Sequence, residues 1–402
     1  MQGMTGSFQL MKSLNRSLVL NIIRQHGPIS RTDISKKANL THPTVSNIVA
    51  ELTEEGIVRE GQVGESRGGR KPMLLSIYDD HSYVIGVDVG TGQLRVGLTN
   101  LRADVKEIRT QKFPEGMQES EFLELLIRTI RELLDSSSVE RSKVLGIGVG
   151  MHGIVDVEQG VSIYAPHFGY RDIPLVEILG REFKLPVKME NDARCSAIAE
   201  RWFGSAQHYN NIVCINVGEG IGAGVIVDGK IFRGRHHIAG ELGHMIVDLN
   251  GRRCTCGSYG CLHTVASGIH IRERVLHDLT LGRSTMMLKM VDRKEEITGE
   301  VIHEAARSGD VFAQEVLAEA GRFLGLACTN LINTMNPDKI IFTGGVMAAG
   351  EYVMGPLRHL IRRRALTKEA QQTEVVLSEL GTNSAMLGAV TLVLQEIFEV
   401  EG

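Results

Sequence analysis

The sequence predicts an α/β protein led by a winged helix-turn-helix. Three observations carry this. Capped apolar stripes recur at helical spacing between Ser13 and Leu52. A glycine-rich basic tip joins two short strands before residue 78. Strands and helices alternate from about residue 80 onward.

The head comes first. Leu18, Val19, Leu20, Ile22 and Ile23 form one helical stripe, and Gly27-Pro28 ends it. Ser30 is placed to cap a second helix that carries Ile34 and Ala38. After the turn at Asn39-Leu40, Thr41 caps a third helix with Pro43 in its first turn, where a missing N–H costs little. Val45, Ile48, Val49 and Leu52 form its buried face. His42, Thr44, Ser46 and Asn47 point outward, short donors and acceptors suited to base edges and phosphates in a major groove. Arg31 and Pro43 complete that candidate face. Strands at 57–60 and 73–77 flank the tip Gly64–Pro72. Its Arg67, Arg70 and Lys71 lie among Gly68, Gly69 and Pro72, an order that resembles an AT-hook and suits a narrow A·T-rich minor groove.

Charge supports a division of labour. Residues 1–77 hold ten Lys/Arg against six Asp/Glu, a net of +4, which leaves −8 on the rest of a chain whose total is −4. A basic head on an acidic body suits a head that touches phosphate. No apolar run is long enough to span a membrane, and the N-terminus shows no basic segment leading into an apolar one. A cytoplasmic protein is expected.

The body opens with a strand at 83–88 running into Gly90-Thr91-Gly92 and a return strand at 94–98. An amphipathic helix follows at 119–134, then a strand at 144–149. Strands at 212–217 and 223–227 repeat the strand, glycine turn, strand theme, which hints at an internal duplication. A long helix at 313–334, a strand at 339–343 and a last helix at 385–398 complete the pattern. The expected units are a head at 1–77, a smaller lobe at 78–194 plus 377–402, and a larger lobe at 195–376 that holds the cysteine cluster and a candidate oligomer surface.

Three of six cysteines fall within eight residues, at Cys254, Cys256 and Cys261. In a cytosolic chain such a cluster reads as a metal site before a disulfide. With His244 ten positions upstream, three thiolates and one imidazole make a closed tetrahedral set of the kind that holds structural Zn²⁺. Spacing alone leaves the fourth ligand open.

These residues resemble a known family. Gly240-Glu241-Leu242-Gly243-His244 followed by Cys254-Thr255-Cys256-Gly257-Ser258-Tyr259-Gly260-Cys261 is similar to the signature of the ROK family (repressor, open reading frame, kinase). The head and wing resemble its repressor branch, which includes xylose and N-acetylglucosamine repressors. The resemblance covers nearly the whole chain. It implies a two-lobed, actin-like ATPase fold with a sugar cleft lined by Gly153, Asn191, Asp192, Glu241 and His244. It also makes His244 the fourth zinc ligand, one ring nitrogen on the metal and the other toward the sugar. In the family's kinases the residue matching Asp192 is the general base.

The chain departs from the kinase pattern. The first glycine turn of the kinases reads Asp-x-Gly-Gly-Thr-Lys; here it is Asp88-Val89-Gly90-Thr91-Gly92-Gln93. The second turn, Gly218-Glu219-Gly220, places a carboxylate where phosphate would sit. Like charges repel strongly in a dry cleft, so no enzymatic activity is expected. His263 replaces the family's glutamate after Cys261-Leu262 and joins the candidate sugar contacts. His152 replaces a frequent proline before Gly153. The expectation is a sugar-responsive repressor of carbohydrate genes. It would work as a homodimer or homotetramer on palindromic double-stranded operator DNA, with a small sugar as inducer. Its competitors are an ATP-dependent sugar kinase carrying a DNA-binding head, and a protein whose head serves docking alone.

Overall fold

The computed structural model describes residues 8–63, 71–114 and 116–398. The head holds helices Phe8–His26, Arg31–Ala38 and His42–Glu54, followed by strands Val58–Val63 and Met73–Ile77. The strand Met73–Ile77 pairs antiparallel with both Val58–Val63 and the short Ile29–Ser30. The expected caps form. Ser30 Oγ accepts from Asp33 N at 3.1 Å, and Thr41 Oγ1 accepts from Thr44 N at 3.4 Å. Asn39, in the left-handed region, closes the second helix. Leu20, Ile34, Val45, Val49, Leu52 and Leu75 are fully buried, so all three helices and the wing share one apolar core. Arg67 and Arg70, at the wing tip, lie outside the described residues.

The body contains two five-stranded sheets of the same plan. In the first, Val105–Lys112, Gln93–Asn100 and Tyr83–Val89 run antiparallel in sequence. Val144–Met151 and Val187–Asn191 then continue in parallel. In the second, Lys230–Ile231, Ile221–Val227 and Ile212–Val217 are antiparallel, and Lys339–Thr343 and Glu374–Leu377 follow in parallel. The duplication hinted at by the two glycine-turn hairpins is therefore visible as repeated strand order and direction. A small antiparallel sheet of Ile154–Asp156, Val161–Ala165 and Tyr170–Ile173 adjoins the first lobe.

Two helices tie the lobes together. Asp192–Trp202 starts at the end of one strand of the first sheet and packs on strands Ile212–Val217 and Ile221–Val227 of the second. Ser384–Phe398 lies against the first sheet and against Asp192–Trp202. Their approach is so close that a Cβ on Gly388 would sit 1.8 Å from the Cys195 carbonyl oxygen. No helix among the described residues is long and apolar enough to cross a membrane.

The head does not hang free. Its core is continuous with Ile198, Trp202, Met386, Leu394 and Phe398 of these two helices. The Arg24 guanidinium lies over the Trp202 ring at 4.2 Å, and Asn21 donates to the Phe398 carbonyl. Trp202 and Phe398 meet edge to face at 6.0 Å.

Candidate functional site

The residues that the resemblance assigns to a sugar cleft gather where the first sheet ends. Asn191 is the last residue of strand Val187–Asn191 and the N-cap of the following helix, its Oδ1 accepting from Arg194 N at 3.1 Å. Its amide donates to the Gly153 carbonyl and to Asp192 Oδ1, each at 3.0 Å. Asp192 Oδ1 also accepts from Ala193 N at 2.9 Å. Asn191 is therefore largely engaged in holding Asp192. Burial pushes the Asp192 carboxyl up to about 6, with Glu241 adding to the rise. Gly153, Asn191 and Asp192 are thus linked directly, with Glu241 close enough to act on the Asp192 carboxyl.

One network explains how two chain segments meet there, and nothing in the sequence pattern announces it. Glu190 is fully buried. It accepts from Arg194 at 3.2 Å, from Arg233 at 2.7 Å and from Asn191 N at 2.9 Å. Arg194 in turn donates to the His237 and Ala239 carbonyls, just before Glu241. The buried charge is paired and fully hydrogen-bonded, the condition under which such a group is tolerated. It fixes the start of the helix relative to the segment carrying Glu241.

His244 ends a short turn at Leu242–His244, its ring 6.2 Å from that of His263. His244 Nδ1 lies 3.6 Å from Cys254 Sγ, and Cys256 Sγ lies 3.7 Å from Cys261 Sγ. All four donor atoms fall within 4.8 Å of one another. Tetrahedral Zn–S bonds of about 2.3 Å would set ligand atoms roughly 3.8 Å apart. The cluster therefore fits a zinc site, with His244 Nδ1 on the side of the Cys254 thiol. Gly260 permits the fold-back of the loop, since at its positive φ a Cβ would lie 1.6 Å from the Asp248 carbonyl oxygen.

On the third head helix His42, Pro43 and Asn47 are exposed, while Thr44 and Ser46 are half-buried. Thr44 Oγ1 shares a hydrogen bond with Thr41 at 2.8 Å, and Ser46 with His42 at 3.4 Å. Arg31 is paired with Glu60 at 2.6 Å, so its charge is partly committed within the head. Lys71 is exposed at the base of the wing.

Comparison with known proteins fits both modules. The model of the ROK family matches residues 84–396, and that of a winged helix-turn-helix DNA-binding domain matches residues 14–59. The chain belongs to the ROK family. It is 32% identical to a xylose repressor of Caldicellulosiruptor bescii over 398 residues, 98% of each chain. It resembles the crystal structure of a ROK transcriptional regulator, a homologue of an Escherichia coli protein named MLC. The TM-score is 0.83 at 32% identity, over 96% of this chain and 97% of that one. A ROK glucokinase from Streptomyces griseus, crystallised with glucose and AMPPNP, aligns with 77% of this chain and 99% of its own. Its TM-score is 0.70 at 30% identity. The fold is thus a winged helix-turn-helix joined to the family's two-lobed sugar-kinase-like body.

The surroundings of the first glycine turn are acidic. The Glu219 carboxylate crosses to the first glycine turn, where a Cβ on Gly92 would meet it at 3.3 Å. Asp88 lies nearby, 3.4 Å from Arg95, which is itself tied to the Thr382 carbonyl. Burial, then Asp192, push the Asp88 carboxyl up to about 7, against the pull of Arg95. A carboxyl so raised contributes fully to the folded state only below its ordinary value of 3.8, and that contribution drains away as pH climbs from there to about 7. Asp88→Asn is therefore expected to melt close to wild type below pH 4 and clearly above it at pH 8. Calorimetric scans at the two values check this. Each kcal/mol regained raises Tm by roughly 2–4 °C.

Proposed function

We propose that this chain is a sugar-responsive repressor that binds operator DNA through its head and does not phosphorylate the sugar. The observation that carries the reading is the course of helix Asp192–Trp202. Its first residue is Asp192 and its last, Trp202, packs under the head helix Phe8–His26. A ligand at Asp192 that tilts this helix moves the platform on which the head sits.

His42, Pro43, Thr44, Ser46 and Asn47 face the major groove. Arg31 lies beside them, and Arg67, Arg70 and Lys71 belong to the wing. Two such heads in a homodimer or homotetramer suit a palindromic, A/T-rich site. Asp192, Glu241 and His263 offer acceptors and donors to sugar hydroxyls, with Gly153 and Asn191 shaping the floor and His244 reaching in from the metal loop. His244, Cys254, Cys256 and Cys261 would hold a structural Zn²⁺, which supplies a fixed anchor for the loop and for the His244 ring. Glu219 supports the loss of nucleotide binding by repelling phosphate. Operator binding places the working protein in the cytoplasm.

For a sugar to release DNA it must bind the DNA-incompetent arrangement more tightly. Fluorescence anisotropy on operator DNA from the chain's own promoter region should show nanomolar-range affinity that weakens with one of D-xylose, D-glucose or N-acetylglucosamine. A coupled assay with ATP and the same sugar should show no turnover. Operator affinity indifferent to every sugar tested, or sugar-dependent ATP consumption, overturns the reading.

A further inference from the structure

The His152 ring is 4% exposed and sits between the end of strand Tyr83–Val89 and the turn at Pro166–Gly169. Its Nδ1 lies 3.1 Å from the Val89 carbonyl oxygen. A carbonyl only accepts, so Nδ1 must carry the proton. In a neutral ring, Nε2 is then a bare acceptor. That nitrogen is buried and has no hydrogen-bond partner. Burial holds the ring neutral, its pKa lowered to about 4. A buried acceptor without a donor costs free energy unless something supplies one. The next residue is Gly153, whose carbonyl takes the Asn191 amide that steadies Asp192. The ring bearing the unsatisfied nitrogen is thus one residue along the chain from the group that steadies Asp192. The rings that flank it are His167, exposed, and Phe168, 5.0 Å away.

We propose that His152 is a specificity-determining residue whose Nε2 accepts a hydrogen bond from a free hydroxyl of the inducer. This rests on the sugar-responsive reading and sharpens it. A lone pair at this point welcomes an O–H and repels an ionised phosphate or carboxylate oxygen. The inducer is thus a sugar whose hydroxyl at this position is neither removed nor phosphorylated. Exposed His167 is the group that must give way for the hydroxyl to reach the nitrogen.

The test has two arms. In the first, the sugar that shifts operator affinity is titrated calorimetrically, together with its monodeoxy analogues, into wild type and His152→Phe. The Phe ring keeps the shape and removes the acceptor. One deoxy position should lose tenfold or more in wild type and less than threefold in the variant, whose affinity for the parent sugar falls by a similar factor. His152→Gln, which can return an acceptor near Nε2, should recover part of the loss. Unchanged operator binding and metal content show that the variants fold. Equal sugar affinity in wild type and His152→Phe overturns this proposal alone. A wild type that binds no sugar overturns the functional reading and this proposal with it. In the second arm, ¹⁵N NMR of the sugar-free protein should report the Nδ1–H tautomer for the resonance lost in His152→Phe. An Nε2–H tautomer overturns the proposal regardless of which sugar binds.

Discussion

Cys261→Ser is expected to strip the bound metal, lower Tm by on the order of 10 °C, and abolish the sugar response while leaving the head folded. The magnitude follows from how little else holds the loop. Residues 245–262 contain two isolated bridges, Ile246 with Cys261 and Arg253 with Tyr259, and no regular strand pairing. Leu249 and Tyr259 are 88% and 57% exposed, so apolar burial contributes little in the middle of the loop. Its two ends are anchored, since Leu242 and Leu262 belong to the core of the second lobe. Structural zinc contributes about 10–16 kcal/mol in peptides that fold only around it. Here the lobe has its own large core, so the loss is a fraction of that. Roughly 2–4 °C per kcal/mol then gives the expected shift. His244 loses its anchor in the same stroke, and its ring is what the loop presents beside His263. The head shares no residue with this loop, so operator binding without sugar should persist. Atomic emission on the purified protein should find about one zinc per chain in wild type and none in the variant. Full metal content in Cys261→Ser would overturn the ligand assignment.

What the sequence showed plainly was local chemistry. Ser30 and Thr41 were legible as caps because a cap needs only its own side chain and an N–H three residues on. The cysteine cluster was legible because metal ligation imposes spacing. Helix Asp192–Trp202 was not read at all, for a physical reason. It is wedged between the two sheets and buried nearly all round, including Arg194 and Glu200, so it shows no apolar stripe. Asn191 proves to be the cap of that helix, its Oδ1 accepting from Arg194 N. The ion network on Glu190 joins residues 43 positions apart, and the stacking of Arg24 on Trp202 joins residues 178 apart. No periodicity reports contacts made across such separations. Nor does the sequence say that Arg31 is shared with Glu60.

The stacking of Arg24 on Trp202 yields the second large expected effect. Arg24→Met should keep sugar affinity and metal content within twofold of wild type yet remove most of the sugar's influence on operator binding. The guanidinium over Trp202 contributes about 0.5–2 kcal/mol in such partly buried stacks, and Met keeps much of the packing. The variant therefore loses a connection more than a support. Allosteric coupling is the ratio of operator affinities with and without sugar, and ratios of 5–150-fold correspond to about 1–3 kcal/mol. A contact worth about as much as the whole coupling can carry most of it if it differs between the two arrangements. Trp202→Leu should have the same effect with an added loss of stability, because it opens a void against the fully buried Phe398. Asn21 sits beside Arg24 and grips the Phe398 carbonyl, so Asn21→Ala should weaken the coupling further when combined with Arg24→Met. The pair shares one network, and the double variant should fall short of the sum of the singles. If operator affinity in Arg24→Met still shifts with sugar by the wild-type ratio, the signal does not leave the cleft along helix Asp192–Trp202. The terminal helix Ser384–Phe398, which lies against both the first sheet and the head, would then be its route.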